Sequence, residues 1–179
     1  SQLSQLTNHP KADLWGSFSP DGRRIVFQSK RDSPQEDIYV MNSDGSNVTR
    51  LTTDPARDIA PSWSPDGKRI AFSSGRDGGL QIYLMKPDGS SQTRITKLTD
   101  GKIKYYNPVW SPDGKRIVFY SDTGDRKDQV LVINADGGGQ TVLTGNVGGS
   151  FGMKGSPYPE YAGLFHASKI LGRPVKWTD

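Results

Sequence analysis

The sequence predicts an all-β chain of three four-stranded propeller blades, followed by a short helical tail. Three observations carry this. The words Ser19-Pro20-Asp21-Gly22, Ser64-Pro65-Asp66-Gly67 and Ser111-Pro112-Asp113-Gly114 recur 45 and 47 residues apart. Each is preceded by an aromatic residue (Phe18, Trp63, Trp110) and followed by two basic residues and an Ile-x-Phe run. A Leu-Thr pair marks the chain at Leu6, Leu51, Leu98 and Leu143, bracketing three complete units. A fixed period in the forties, punctuated by tight turns, is the length of a propeller blade, whose four antiparallel strands are joined by hairpins.

Within a unit each element has its own reason. A short strand runs into the aromatic residue. The Pro-Asp-Gly after it suits a tight turn, because Pro presets φ at the first corner and Gly accepts a positive φ further on. The SPDG aspartates are turn formers, since an Asp side chain caps its own turn. Ile25-Val26-Phe27, Ile70-Ala71-Phe72 and Ile117-Val118-Phe119 form a buried second strand rich in β-formers. A variable polar loop leads to the third strand, Asp37 to Met41, Gln81 to Met85 and Gln129 to Ile133. Asp44-Gly45, Asp88-Gly89 and Asp136-Gly137 then turn the chain, Asp-Gly being a strong short hairpin signal. The fourth strands are expected over Asn47 to Leu51, Thr93 to Leu98 and Gln140 to Leu143. The blades therefore span 8–52, 53–99 and 100–144, after an outer-strand remnant at 1–7 and before an unrelated tail at 145–179. In the tail, Pro159 to Leu171 has helical spacing, predicting a helix near 159–171, with Gly172 and Pro174 as its stop.

Composition narrows the function classes. The 179 residues carry a net charge of +4 and no cysteine, which excludes disulfides, thiol redox chemistry and thiolate metal sites. The pI is near 9.3 and the mean hydropathy −0.66. The basic residues recur as one Lys/Arg pair per unit rather than in a run beside aromatics, so they read as solvated hairpin ends giving one rim a positive field, and specific nucleic acid binding is not expected. No apolar run approaches the ~20 residues that cross a bilayer, so no membrane partner is expected. The first residues lack the basic and apolar regions of a signal peptide. The G-x-S-x-G elbow, P-loop, dinucleotide fingerprint and His-rich metal spacing are missing.

The pattern P-x-W-S-P-D-G-K-R-I-A-F-x-S, then I-Y-x-M, D-G and L-T, resembles the TolB-type β-propeller repeat of bacterial proteins over residues 6–144. Unit one departs with Phe18 and Gly16, and unit three with Val130-Leu131 in place of Ile-Tyr. The resemblance implies a six-bladed ring and a parent family that is often periplasmic. Three blades leave two sheet faces uncovered, and two chains of three make six. A C2 homodimer is therefore expected, half of the ring coming from each copy. Residues 148–179 resemble a segment of the molybdenum hydroxylase large subunit, with Gly148, Gly149, Phe151, Gly152 and Lys154 on that family's cofactor-side turn. That match implies a chimera joined near 145–148. Almost all of the pterin pocket is missing, so the molybdenum cofactor is not expected.

Propeller ligands bind at the mouth of the central channel, a family expectation that directs attention to the starts of the innermost strands. Counted from each Leu-Thr, equivalent positions there are Asp13, Asp58 and Tyr105, then Trp15, Ala60 and Asn107. Trp15, Asn107 and Tyr105 are the candidate ligand-binding residues. Asp13, Asp58 and His9 are candidate metal ligands, because crowded carboxylates call for a cation and Ca²⁺ or another divalent metal takes such oxygens. Asp58 and Tyr105 are the candidate catalytic residues. The blander role for Asp13 and Asp58 is bonding to a neighbouring blade's backbone at the strand start. Two functions follow: a binding scaffold that takes a protein or small ligand at its channel, or a metal-dependent hydrolase of a phosphoester, phosphotriester or lactone.

Overall fold

The computed structural model describes residues 4–97, 102–124 and 128–143. Twelve strands make three four-stranded antiparallel sheets. The first holds β1 (Asp13–Phe18), β2 (Arg24–Ser29), β3 (Asp37–Asn42) and β4 (Thr49–Arg50) in that order. The second holds β5 (Asp58–Trp63), β6 (Ile70–Ser74), β7 (Gln81–Met85) and β8 (Thr93–Arg94). The third holds β9 (Lys104–Trp110), β10 (Arg116–Asp122), β11 (Gln129–Asn134) and β12 (Thr141–Val142). The expected all-β meander of three blades is present, and among the described residues there is no helix. The helix expected near 159–171 and the junction at 145–148 lie outside the described residues.

The blades stack through the two faces of each sheet, which alternate side chains allow. Val26, Ile38 and Val40 of the first blade pack with Trp63, Ile70, Phe72, Tyr83 and Met85 of the second. The opposite face of the second, Ala71, Ile82 and Leu84, packs with Tyr105, Trp110, Ile117, Phe119, Leu131 and Ile133 of the third. Val26, Ile38, Ile70, Phe72, Ile82 and Ile117 are wholly buried. Each such side chain contributes roughly 1.5–3 kcal/mol of apolar burial. The core thus lies between blades, as stacked repeats require.

Both turns behave as the residues dictate, with one addition. In the first turn Gly22, Gly67 and Gly114 hold φ of 69°, 69° and 67°. The aspartate takes the hydrogen bonds expected of it: Asp66 Oδ1 accepts from Ser64 Oγ at 2.6 Å and from Lys68 N–H at 3.0 Å. The serine adds a second tie, for Ser64 Oγ accepts the N–H of Arg69 at 2.9 Å, and Ser19 and Ser111 do the same for Arg24 and Arg116. In the second turn Gly45, Gly89 and Gly137 have φ of 88°, 84° and 88°. A methyl group on Gly89 would stand 2.6 Å from the Leu51 carbonyl oxygen, and one on Gly45 would run into that of Leu6.

This contact corrects the repeat boundary. Leu6, Leu51 and Ile95 lie over the turn glycines Gly45, Gly89 and Gly137 in turn. The N–H groups of Leu51 and Ile95 donate to Ile38 and Ile82 at 2.7 and 2.9 Å. The structural counterpart of Leu51-Thr52 is therefore Ile95-Thr96, three residues before the expected Leu98-Thr99, and the Leu98-Thr99 pair itself lies outside the described residues. The fourth strand of the second blade ends at Arg94 instead of reaching Leu98. Ile and Leu fill the same place, and literal spelling hid the match.

Candidate functional site

β1, β5 and β9 are the first strand of their sheets and pack against one another from blade to blade, which makes them the inner edge of the array. Asp13, Asp58 and Tyr105 stand opposite Ser29, Ser74 and Ser121 on the neighbouring strands. The positional equivalence counted from the sequence therefore holds. The neighbouring blade supplies backbone pairing at two of these positions, with Asp58 N–H donating to Glu36 O at 2.8 Å and Tyr105 N–H to Leu80 O at 2.7 Å.

Both carboxylates face arginine. Arg31 Nη2 donates to Asp13 Oδ1 and Oδ2 at 2.9 and 2.8 Å, and its guanidinium lies over the rings of Phe27 and Tyr39. Burial raises the Asp13 pKa, but hydrogen bonds from Arg31, Ser29 and Thr7 outweigh it and leave the group below its ordinary value. Asp58 is fully buried, with Arg76 Nη2 3.0 Å from its Oδ2. Its Oδ1 has no hydrogen-bond partner, and burial holds its pKa above the ordinary value despite Ser74 and Arg76. Arg76 also donates to Ser74 and Gln92, both at 2.7 Å, and lies over Phe72 and Tyr83. In the third blade Tyr105 replaces the aspartate. It is buried, meets Phe119 edge-on at 5.2 Å, and its hydroxyl accepts from Gln140 Nε2 at 3.2 Å.

The backbone N–H groups of Asp58 and Tyr105 thus bond to the neighbouring blade. The side chains of Asp13, Asp58 and Tyr105 instead meet Arg31, Arg76 and Gln140 of their own blades rather than a neighbour's backbone. His9 is exposed, and its Nδ1 accepts the Lys11 N–H at 3.2 Å in a local turn. Among the described residues no three His, Asp or Glu side chains are grouped to hold a metal.

Trp15, Ala60 and Asn107 have a different character. They adopt φ of 58°, 51° and 51°, and the inner strands break register around them. Each is the left-handed residue of a β-bulge, a device that re-aims side chains and that non-glycine residues enter at a cost. Ala60 N–H is met by Gln28 Oε1 of the preceding blade at 2.7 Å. Trp15 is exposed and Asn107 half-buried.

One arrangement went unread in the sequence. In the first two blades the second residue of the basic pair is not a solvated hairpin end. Arg24 lies over the ring of Trp63 at 4.8 Å, and Arg69 over that of Trp110 at 4.7 Å, each reaching into the next blade. Trp110 Nε1 also donates to Ser62 O at 3.2 Å. A signal was available: the first basic residue is Arg23, Lys68 or Lys115, whereas the second is arginine every time.

Four-stranded sheets stacked face to face, with their first strands inward, define a β-propeller architecture. A family profile described as PD40, TolB beta propeller domain, matches residues 1–173, and the chain belongs to that family. A chain described as TolB from Agrobacterium tumefaciens is 36% identical with a TM-score of 0.69, covering 78% of this chain and 51% of its own. TolB from Acinetobacter baumannii is 28% identical with a TM-score of 0.63, covering 73% of this chain and 32% of its own. An oligogalacturonate lyase from Vibrio parahaemolyticus, at 14% identity and a TM-score of 0.61, shares the fold alone. The chain therefore spans about half or less of the length of these structures. No curated protein matches it. The family match runs past the junction at 145–148 to residue 173, and leaves the molybdenum hydroxylase fragment and the chimera unsupported.

Proposed function

We propose that the chain is a TolB-like binding scaffold that dimerises into a six-bladed ring and takes a protein or small ligand at its central channel. The observation that carries this is the bulge repeated on all three inner strands, which holds Trp15, Ala60 and Asn107 in the left-handed region. Such strain is kept where a side chain must be aimed, and Trp15 and Asn107 offer an aromatic surface and an amide for recognition. Panning a random peptide library against the full chain, then measuring enriched peptides against Trp15→Ala and Asn107→Ala, tests the site. Weakened binding to both variants is expected, and unchanged affinity for both would overturn it.

The alternative, a metal-dependent hydrolase with Ca²⁺ or another divalent ion, needs Asp13, Asp58 and His9 as ligands. Arg31 meets both carboxylate oxygens of Asp13 and Arg76 meets Oδ2 of Asp58, so an ion would compete with an arginine at each carboxylate. Turnover of activated esters that is abolished by a chelator and by Asp58→Ala would establish this alternative in place of the scaffold.

A further inference from the structure

The blade-to-blade clasp has two ends left over. The aromatic residue that opens each first turn is Phe18, Trp63 and Trp110 in the three blades. Trp63 and Trp110 are 6% and 8% exposed because the preceding blade's arginine and sheet cover them, whereas Phe18 is 62% exposed. Around Phe18 the same inner strand exposes Leu14, at 48%, whereas its equivalent Ile59 is 5% exposed. At the other end of the array Arg116 occupies the place of Arg24 and Arg69, its N–H bound by Ser111 Oγ at 2.9 Å as theirs are by Ser19 and Ser64. Arg116 is exposed, and among the described residues no ring lies beneath its guanidinium. Among the described residues, one face offers a ring without a cation and the other a cation without a ring.

We infer that these two faces are the seam between two copies of this chain, with Arg116 of one copy stacked on Phe18 of the other. This rests on the ring-forming dimer proposed above and names the contact that closes it. The occupant is a second copy because the two faces complement each other as the internal ones do. An occupant that completes the clasp as it is completed at Trp63 and Trp110 presents an arginine on a serine-held turn, and this chain's own third blade presents one. Stacking of arginine on an aromatic face is electrostatic attraction to the ring, strongest for tryptophan. Phe18 is thus the weaker form of the clasp, lacking both the larger ring and an indole N–H to match the bond from Trp110 to Ser62. At one point the seam must choose: Leu6 already lies on Gly45, where the second copy's Leu143 would fall by repeat. For the seam to close, either Leu6 or the exposed two-residue β12 that precedes Leu143 must shift.

Sedimentation of the full 179-residue chain over a range of concentrations tests the seam, with Phe18→Ala, Arg116→Glu, Phe18→Trp and the double variant Phe18→Arg with Arg116→Glu. Both positions are exposed, so each variant should fold, which circular dichroism verifies. A wild-type dimer is expected. Phe18→Ala and Arg116→Glu should each raise its dissociation constant about ten-fold or more, and Phe18→Trp should lower it by about five-fold. The double variant, which replaces the stack with an opposite-charge pair, should recover dimerisation lost in Arg116→Glu alone. A dimer indifferent to all four variants would overturn the seam while leaving the ring standing. Larger oligomers that shrink in both single disruptive variants support the contact but refute the closed ring. A monomer for wild type and Phe18→Trp alike overturns both, and a monomer whose melting temperature shifts with these substitutions places the chain's own residues on this face.

Discussion

The guanidinium carbon of Arg69 stands 4.7 Å from the ring centroid of Trp110, and its Nη1 donates to the Ala135 carbonyl at 3.0 Å. One side chain therefore joins the turn of the second blade to both the inner strand and the second turn of the third. Arg69→Ala should destabilise the chain by about 1–3 kcal/mol, by loss of the stack and of a charge-assisted hydrogen bond. Arg69→Lys should recover only part, because an ammonium cannot lie flat on the ring and reach the carbonyl together. Urea unfolding midpoints at constant slope would measure this, and equal midpoints for wild type and Arg69→Ala would refute it.

Two glycines with positive φ should respond differently to the same change. Gly22 has φ of 69° and open space where a methyl group would go. Gly89 has φ of 84° and the Leu51 carbonyl oxygen 2.6 Å from that point. Gly22→Ala should cost about 1 kcal/mol, from backbone strain alone. Gly89→Ala should cost clearly more, because the outer strand must also move away. Thermal melts of the two variants decide the matter by their order.

Gln28 and Ser73 occupy the same position in adjacent blades, opposite Leu14 and Ile59. Gln28 reaches the Ala60 N–H, whereas the shorter Ser73 leaves its buried hydroxyl without a partner. Gln28→Ala should therefore cost about 1–3 kcal/mol by orphaning a buried donor. Ser73→Ala should be neutral or stabilising in the same denaturation assay.

The two arginine-paired aspartates should titrate stability in opposite directions. The Asp58 pKa is raised above 3.8 by burial, so the folded state binds its proton more tightly than the unfolded one. Its contribution is fully present below the unfolded pKa and is lost as pH rises through the folded value. Asp13 is held below 3.8, because hydrogen bonds from Arg31, Ser29 and Thr7 outweigh its burial. Its contribution is present above the unfolded pKa and is lost as pH falls through the folded value. Relative to wild type, Asp58→Asn should compare better at neutral pH than in mild acid, and Asp13→Asn the reverse. Urea midpoints from pH 3 to pH 7 would show the crossing trends.

Strand order, turn chemistry and blade count were legible because they depend on local spelling: Pro-Asp-Gly bends a chain wherever it stands, and Ile-Val-Phe favours a strand. Placement of Asp13, Asp58 and Tyr105 at one register position was legible too, by counting. What the residues do there was not, because Arg31 and Arg76 lie 18 residues further on in loops whose length and wording vary. The sequence suggested carboxylates crowded around an ion, and the fold gives each an arginine backed by two aromatic rings. The bulges were missed for another reason. A left-handed φ is expected of glycine, and nothing in Trp15, Ala60 or Asn107 as letters announces it. The prolines at 61 and 108 and the glycine at 16, each directly after the bulge residue, are the only trace.

The contact between Leu51 and Gly89 closes a stretch of chain upon itself, since the leading leucine of a unit rests on the last turn of that same unit. Leu6 with Gly45 and Ile95 with Gly137 do likewise. A unit copied from leucine to leucine would carry its own latch and need only a neighbour with an arginine ahead and an aromatic behind. Nothing inside such a module counts its companions. The number of blades is free to drift by duplication or loss, and ring size is a property of the assembled circle rather than of any segment that builds it.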